Sequence, residues 1–325
     1  MKSQIKKPKV SVIIPVYNAE PYIARCARSL FSQTLDNIEY IFIDDCSEDT
    51  SIKCMLEVLD AFPERLPFVK VIRNRSNIGV GQSRQIGIDA ASGEYIIHCD
   101  ADDRADADMY QSMYESAVSN RADIVVCGYR VESESGSTPM VQLPDSDKRI
   151  MFHQIASESL HTSLCLKLIS ASLAKSVSIE PGINHWEDFS VTPLLMLMAE
   201  KIVTLDRCPY HYYIENAKSI TRINSRLNAI SAINAASSLT RRIEEHAMTG
   251  DIDKADIYRI QWSAKKNLIF NPSKANIQLW RTTFAEANSH YKEIGLTPKL
   301  KLLTWLAIHN HYGLLKIYSR LKFLF

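Results

Sequence analysis

The N-terminal part of the chain alternates apolar runs with amphipathic segments, which predicts buried strands followed by helices. Val10 to Val16 is a continuous apolar run rich in β-branched residues, typical of a strand that is buried on both faces of a sheet. The following segment, Glu20 to Gln33, carries apolar residues at helical spacing. Together the two segments predict a strand and the helix that connects it to the next parallel strand.

The same alternation continues to residue 131. Further strands are predicted at 40–43, 68–72, 95–99 and 123–131, and further helices at 49–62, 81–91 and 105–119. Strands that alternate with helices of this length predict an α/β fold, with a mostly parallel sheet covered by helices on both faces. Residues 133–148 contain glycine, proline, serine and aspartate, and this composition predicts a surface loop.

The regular alternation stops after residue 150. Residues 150–222 are a mixed segment, and residues beyond 224 have a helical pattern throughout, with weak turn signals at Gly250, Asn271 and Gly295. We therefore predict a first domain over residues 1–222 and a helical C-terminal region over residues 223–325.

Composition and charge exclude several classes of protein. The 325 residues carry a formal net charge of only +1, so no global field favours nucleic acid as a partner. The seven cysteines are scattered and form no CxxC pair, which predicts reduced thiols in a cytosolic protein. The basic N-terminus leads directly into a strand without a signal-peptide-like apolar segment, and no apolar run is long enough to span a membrane. We expect a cytoplasmic protein.

Candidate chemistry is concentrated in the stretch GEYIIHCDADDRADAD, from Gly93 to Asp108. An apolar strand runs directly into Asp100, Asp102 and Asp103, at the end of a strand where α/β sheets bind ligands. Several carboxylates at one strand end repel one another, and a divalent cation that shares its charge with a phosphate would relieve that repulsion. Considered alone, such a cluster is more often a solvated turn that caps the next helix. The residues at the other strand ends are therefore needed to choose between a metal site and a capping turn.

Polar residues also follow the first three strands. Tyr17 follows the first strand and is placed either to stack on a nucleobase or to close the sheet. Asp44 and Asp45 follow the second, where adjacent side chains alternate in direction, so that one carboxylate faces the crevice while the other braces the turn. The third strand is followed by Asn77 to Arg84, which brings two glycines and a cation to the same edge.

Two nucleotide-binding motifs are excluded. A dinucleotide fingerprint requires G-x-G-x-x-G directly after the first strand, whereas Gly79 and Gly81 follow the third strand and Arg84 occupies the position of the third glycine. The phosphate loop GxxxxGK[ST] of kinases and NTPases is absent from the sequence.

These motifs together resemble a known family. The segments VSVIIPVYNAEPYI, SLFSQTLDNIEYIFIDDCSEDTS and NIGVGQSRQIGIDAASGEYIIHCDADD occur in the right order, with HWEDF and PYHYYIENAKSIT downstream. This combination is similar to the inverting family 2 glycosyltransferases, which have the GT-A fold. The resemblance implies a Rossmann-like catalytic domain, with a nucleotide-binding half at 8–132 and an acceptor half at 150–222.

The resemblance implies roles in donor binding for residues at the first three strand ends. Pro15 and Tyr17 would line the base pocket, and Asp45 would accept a hydrogen bond from the base. Gly79 would belong to the nucleotide-sugar site, and Arg84 would approach the diphosphate or the donor sugar.

It also implies roles for the acidic residues. Asp100 would lie near the ribose and diphosphate, Asp102 would ligate Mn²⁺ or Mg²⁺, and Asp103 would support the metal or the sugar. Asp188 would be the general base that deprotonates the acceptor hydroxyl, and Glu187 would orient the site. An aspartate before an apolar run is also a common helix cap, and one carboxylate could serve both purposes.

The implied activity is transfer of a hexosyl or hexosaminyl group from a UDP-sugar to a glycan or lipid-linked glycan, in bacterial capsule, exopolysaccharide or lipopolysaccharide assembly. A sugar nucleotidyltransferase is one alternative, but it would require a glycine-rich basic loop after the first strand, and PVYNAEP is not such a loop. A non-catalytic nucleotide-binding relative is the other alternative, and the intact DADD and Glu187-Asp188 motifs oppose it.

The C-terminal segment, residues 296–325, is apolar and basic without an acidic residue. One interpretation is a terminal helix pair that packs on the catalytic domain. The other is a peripheral membrane anchor at the inner face of the cell membrane, with apolar residues in the bilayer and cations on anionic headgroups.

Overall fold

A computed structural model describes residues 7–133, 135–216 and 226–321, which form two compact units. The first unit comprises residues 7–144, 161–182 and 194–216, except position 134. The second comprises residues 145–160, 183–193 and 226–321. The predicted domain boundary, between residues 222 and 223, falls outside the described ranges.

Nine strands of the first unit form one sheet, in the order β3-β2-β1-β4-β8-β6-β9-β5, with β7 paired to β6. The first four strands in this order are mutually parallel. The strands are β1 (Val10–Val16), β2 (Ile38–Asp44), β3 (Val69–Arg73), β4 (Tyr95–His98), β5 (Arg104–Ala105), β6 (Ile124–Ser133), β7 (Gly136–Met140), β8 (Lys167–Ser170) and β9 (Ile202–Tyr213).

Helices cover both faces of the parallel part of this sheet. Val12 and Ile14 of β1 pack into a core that is shared with the helices after the first, second and fifth strands. Ile13, whose side chain points to the opposite face, lies against Gly87, where an added Cβ would be 2.2 Å from the Ile13 Cγ2 atom. The predicted α/β class is confirmed. The helices are α1 (Glu20–Phe31), α2 (Ser51–Leu59), α3 (Val80–Ala90), α4 (Met109–Asn120), α5 (Lys148–Ala156), α6 (Ala171–Ala174) and α7 (Glu187–Met198).

Two local predictions were wrong. The segment predicted as a loop contains β7, whose residues are all exposed and pair antiparallel with β6, so its polar sequence resembles a loop although its backbone is paired. The helix predicted to begin at residue 105 begins at Met109, because Arg104 and Ala105 pair with β9. In addition, β6 does not pair with β4, because β8 lies antiparallel between the two strands.

The C-terminal part of the second unit is helical, as predicted. Its core contains the buried indoles of Trp262 and Trp280, with Leu303, Leu306 and Leu315 from the last two helices. None of the described helices is long and apolar enough to cross a membrane. These helices are α8 (Arg226–Glu245), α9 (Lys254–Phe270), α10 (Lys274–Thr282), α11 (Ala285–Ser289), α12 (Pro298–Ile308) and α13 (Tyr312–Leu321).

Candidate functional site

The register of the parallel strands brings the first candidate residues to one edge of the sheet. Val16 pairs with Asp44, and the backbone N–H of Asp45 donates to the Val16 carbonyl at 2.8 Å. On the other side of β1, the Cys99 N–H donates to the Ile13 carbonyl at 2.9 Å. Because these strands are adjacent and parallel, the residues that follow them, including Tyr17 and Asp100, lie at the same edge.

Tyr17 is an exposed aromatic side chain at this edge. Its side chain is 49% accessible to solvent, so the ring does not close the sheet as a buried aromatic would. Pro15 is half-buried within β1. An exposed ring at the end of a central strand is available to stack on a planar ligand.

The carboxylate of Asp45 holds the loop between β3 and α3. Its Oδ1 accepts hydrogen bonds from Asn74 Nδ2 and the Ile78 N–H, both at 2.9 Å, and its Oδ2 accepts from the Gly79 N–H at 2.8 Å. A carboxylate has about four acceptor positions, and these bonds use three of them. The structure therefore assigns Asp45 a loop-fixing role, and its predicted contact with a base would have to use the remaining position.

Gly79, the N-cap residue that precedes α3, has a backbone conformation that other residues avoid. Its φ is +89° and its ψ is 162°, a region open almost only to glycine. We expect Gly79→Ala to lower the free energy of unfolding by about 1–3 kcal/mol, because the added Cβ strains this backbone or breaks the bond to Asp45. Urea denaturation followed by circular dichroism would measure the loss. Gly313→Ala is the matched control, since a Cβ at Gly313 meets no atom within 4 Å, and equal effects of the two changes would contradict the assignment.

Arg84 and Asp100 form an ion pair under the same edge. The Arg84 side chain is buried, and its Nη2 lies 2.8 Å from Asp100 Oδ1, while Asp100 remains partly exposed. Burial, and next the Arg84 charge, lower the pKa of His98 well below its usual range, so this buried histidine is neutral. Arg84 is thus the fixed positive charge at the base of the site.

Asp102 and Asp103 are both held by residues of β9 and of the segment that follows it. The Asp103 carboxylate is fully buried and accepts from the Tyr210 hydroxyl at 2.7 Å and from the Tyr213 N–H at 2.8 Å. The Asp102 carboxylate accepts from Asn216 Nδ2 at 2.8 Å. The sequence-predicted DADD motif is therefore a fixed, inward-facing loop and not a solvated turn.

The electrostatics of this loop favour a bound cation. Burial, and next the charge of Asp100, raise the pKa of Asp102. Burial, and next the charges of Asp102 and Asp100, raise the pKa of Asp103 well above its usual range. A divalent cation would remove this repulsion, and carboxylate oxygens are suitable ligands for Mn²⁺ or Mg²⁺. Within residues 7–133, 135–216 and 226–321, no group of three or more His, Cys, Asp or Glu side chains is arranged to hold an ion, so phosphate oxygens of a substrate would have to complete the ligand set.

Glu187 and Asp188 lie in the second unit, as the first two residues of α7. Asp188 therefore lies inside the first turn and is not the N-cap residue that the sequence predicted before the helix, although a carboxylate in the first turn still interacts favourably with the helix dipole. The general-base interpretation requires an acceptor and stays a prediction. The two interpretations are compatible, because both need an ionised carboxylate.

The turn before α7 is strained and strongly held within the second unit. Trp186 has a φ of +68°, which is rare for a bulky residue. The Ser231 hydroxyl of α8 accepts from the N–H groups of Asn184 and His185, both at 2.9 Å, and donates to the His185 carbonyl at 3.0 Å. Backbone strain that is fixed by several hydrogen bonds is found most often at functional sites.

Comparison with known proteins decides the family. Residues 11–177 match the family described as glycosyl transferase family 2. The chain belongs to this family. The "Uncharacterized glycosyltransferase EpsJ" of Bacillus subtilis is 30% identical over 225 residues, which are 66% of this chain and 64% of EpsJ. The "Poly(ribitol-phosphate) beta-glucosyltransferase" of Bacillus spizizenii is 29% identical over 210 residues, which are 64% of this chain and 32% of that protein. The match thus spans less than two thirds of each relative's length.

A solved structure supports the fold of this family 2 chain. The crystal structure of residues 1–349 of S. aureus TarS has a TM-score of 0.68 at 19% identity, covering 96% of this chain and 91% of that one. The same TarS fragment in complex with UDP-GlcNAc matches with a TM-score of 0.59 at 18% identity, over 96% and 92% of the two chains. At these identities the likeness shows a common fold.

Residues of this family 2 site that the sequence did not reveal hold the acidic loop in place. Arg25 of α1 donates from Nη2 to the Asp102 carbonyl at 2.7 Å, and its guanidinium lies 4.4 Å from the centre of the Tyr213 ring. Nothing in the sequence distinguishes Arg25 from other exposed-face cations of an amphipathic helix. The segment PYHYYIENAKSIT contains Tyr210, Tyr213 and Asn216, but the sequence analysis predicted none of them as a site residue, and the Ser219-Ile220 part of the segment lies outside the described residues.

A partly buried network of charged and polar side chains fixes the far end of the acidic loop. His211 Nδ1 lies 2.7 Å from a Glu132 oxygen, and His211 Nε2 lies 2.7 Å from Asp106 Oδ1. Arg104 of β5 pairs through two nitrogens with Glu132 of β6, which is also the residue that His211 of β9 contacts. Side-chain contacts through Glu132 therefore link β5, β6 and β9.

Proposed function

We propose that this chain is a metal-dependent inverting glycosyltransferase that transfers a sugar from a nucleotide-diphosphate donor, a UDP-sugar, to an acceptor hydroxyl. The main support is the loop in which the buried Asp103 and the half-buried Asp102 lie beside Asp100, at the sheet edge that carries the exposed Tyr17 ring. Membership in glycosyl transferase family 2 and the fold shared with TarS, which was solved with UDP-GlcNAc, support the same donor class.

On the donor side, the residues of the first unit would bind the nucleotide and fix its diphosphate. Tyr17 stacks on the base, and the loop held by Asp45 and Gly79 covers it. Asp102 ligates Mn²⁺ or Mg²⁺, with Asp100 and Asp103 beside it. When bound, the cation neutralises the negative charge that develops on the departing diphosphate. Arg84 holds Asp100 in place through the ion pair at 2.8 Å.

On the acceptor side, a hydroxyl attacks the anomeric carbon from the face opposite the diphosphate, and this inverts the configuration. The hydroxyl must lose its proton as the new bond forms, and Asp188 is the proposed general base. The proton moves to a carboxylate oxygen of Asp188, and Glu187 orients the site. Positive charge on the sugar ring is greatest at this point, so nearby carboxylates also favour the transition state.

The proposed acceptor is a growing glycan or a lipid-linked glycan of a bacterial surface polysaccharide. A relative named for glucosyl transfer to poly(ribitol-phosphate) supports this class of acceptor. The donor sugar would be identified by screening UDP-sugars after the nucleotide has been established.

A thermal-shift panel of nucleoside diphosphates, each with and without Mn²⁺, tests the proposal. UDP with Mn²⁺ is expected to raise the melting temperature, because a ligand at 100 times its Kd stabilises the folded state by about 2.7 kcal/mol. The shift should disappear in Asp102→Ala and persist in Asp206→Ala, a change at an exposed carboxylate of the same unit. A UDP shift that is equal in the presence of a chelator, or the absence of a shift with every nucleotide, would contradict the proposal.

A further inference from the structure

The last two helices, α12 and α13, each have one buried side and one exposed side. On the buried side, Leu303, Leu306 and Leu315 pack into the core of the second unit. Trp262 Nε1 also donates to the Thr304 hydroxyl at 3.0 Å. The helix pair is therefore an integral part of this unit, and its position does not depend on its exposed side chains.

The exposed side of the same helices is apolar. Leu302 and Trp305 of α12 are 57% and 41% exposed, and Leu314 and Ile317 of α13 are 53% and 56% exposed. Each pair is separated by three positions, so its members lie on one face of their helix. The Trp305 ring stacks on His311, with ring centroids 5.2 Å apart, and this contact joins the α12 face to the beginning of α13. We call these four residues the C-terminal apolar face.

The sequence around this face is strongly basic. No aspartate or glutamate occurs from Ile294 to Phe325, whereas the whole chain has a net charge of only +1. Lys299 and Lys316 are exposed and lie over the rings of Tyr318 and Tyr312, at 5.3 and 5.9 Å. The sequence also contains Lys301, Arg320 and Lys322 here. The rest of the chain is therefore net negative, and the positive charge is concentrated beside the apolar face.

We propose that the C-terminal apolar face binds the surface of an anionic phospholipid bilayer. Four exposed apolar side chains would enter the interface, and the lysines beside them would contact the headgroups. Tryptophan, tyrosine and lysine are the residues that membrane interfaces favour. A second copy of this chain is a poor occupant, because it would bring an equally positive segment against this one. The binding is peripheral, and it does not depend on the proposed transferase activity.

Co-sedimentation of the full chain with lipid vesicles tests the proposal. We expect binding to vesicles that contain phosphatidylglycerol, little binding to pure phosphatidylcholine, and release at high salt, which screens exposed charges. Lys299→Gln combined with Lys316→Gln should weaken binding about fivefold for each lysine. Leu302→Ser combined with Ile317→Ser should weaken it at least as strongly, while both variants keep the wild-type melting temperature, since the changed side chains are exposed.

A matched control distinguishes binding through the C-terminal apolar face from non-specific adsorption of exposed apolar side chains to the vesicles. Leu66→Ser combined with Val118→Ser removes apolar side chains that are 61% and 50% exposed in the first unit, and it should leave binding unchanged. Equal loss in this control, equal binding to neutral vesicles, or no binding at all would overturn the proposal. Concentration-dependent self-association that disappears in the Leu302 and Ile317 variant would also overturn it, in favour of an interface between copies. The variants should retain the UDP thermal shift, so this test can fail without affecting the proposed function.

Discussion

Asp102→Asn is expected to stabilise the free protein and to abolish its metal-dependent response to UDP. In the free protein, burial and the neighbouring Asp100 raise the pKa of Asp102, which means that its charged form is destabilised in the fold. The amide has nearly the same shape, carries no charge and still offers an oxygen to Asn216. The change therefore removes repulsion without leaving a cavity, but it also removes the charge that would bind the cation.

The same pKa shifts fix the sign of the pH dependence. Because the folded-state pKa values of Asp102 and Asp103 lie above their ordinary value of 3.8, the folded protein holds more protons than the unfolded chain as the pH rises from that value. The contribution of this pair to the free energy of unfolding therefore decreases with rising pH across that window. The melting temperature of Asp102→Asn should exceed that of the wild type by a margin that grows from acid toward neutral pH.

Differential scanning calorimetry of both proteins across this pH range, without and with UDP and Mn²⁺, would measure both effects. A gain of about 1 kcal/mol corresponds to a rise of about 2–4 °C for a cooperative unit of 150–250 residues, and the first unit, which contains Asp102, is of this size. Asp206→Asn is the matched control and should change neither quantity, since Asp206 is exposed. Destabilisation of the free protein by Asp102→Asn at neutral pH would contradict the charge repulsion inferred here. Retention of the metal-dependent shift would show that Asp102 is not the ligand.

The sequence was sufficient to predict the strand ends of this site. The hydrophobic pattern and the residue composition of the segments determine where β1, β2 and β4 end. Parallel pairing of these strands then brings Tyr17 and Asp45 to the same edge as Asp100. The contacts that orient these side chains could not be predicted in the same way. Asp45 is fixed by Asn74, Ile78 and Gly79, a contact that depends on the path of one loop in three dimensions.

The outer half of the sheet was harder to predict for a similar reason. The insertion of β8 between β4 and β6 pairs residues that are far apart in sequence, and no local pattern specifies such a partner. The two-residue strand β5 has no periodicity of its own, and the network of His211 with Glu132 and Asp106 stabilises it instead. The strained backbone conformation of Trp186 could likewise not be predicted from the sequence. The Ser231 hydroxyl that holds this turn lies in α8, 45 positions after Trp186.

Asp188→Asn is expected to reduce sugar transfer by about 10²–10⁴-fold while leaving the UDP and Mn²⁺ thermal shift unchanged. An amide cannot accept the proton of the attacking hydroxyl, and loss of a general base typically has an effect of this size. Initial rates of UDP release from a UDP-sugar, with the thermal shift measured on the same samples, would separate turnover from donor binding.

If Asp188 only caps α7, the same change would affect stability and not turnover. Loss of a charge near a helix N-terminus costs about 0.3–1 kcal/mol, and this loss would lower the melting temperature without a selective decrease in rate. Glu187→Gln is the matched variant, because it removes a neighbouring carboxylate from the same first turn. A much larger loss of rate in Asp188→Asn than in Glu187→Gln, at similar melting temperatures, identifies Asp188 as the base. Equal and small losses of rate in the two variants would show that both carboxylates only stabilise the start of α7 and that Asp188 is not the base.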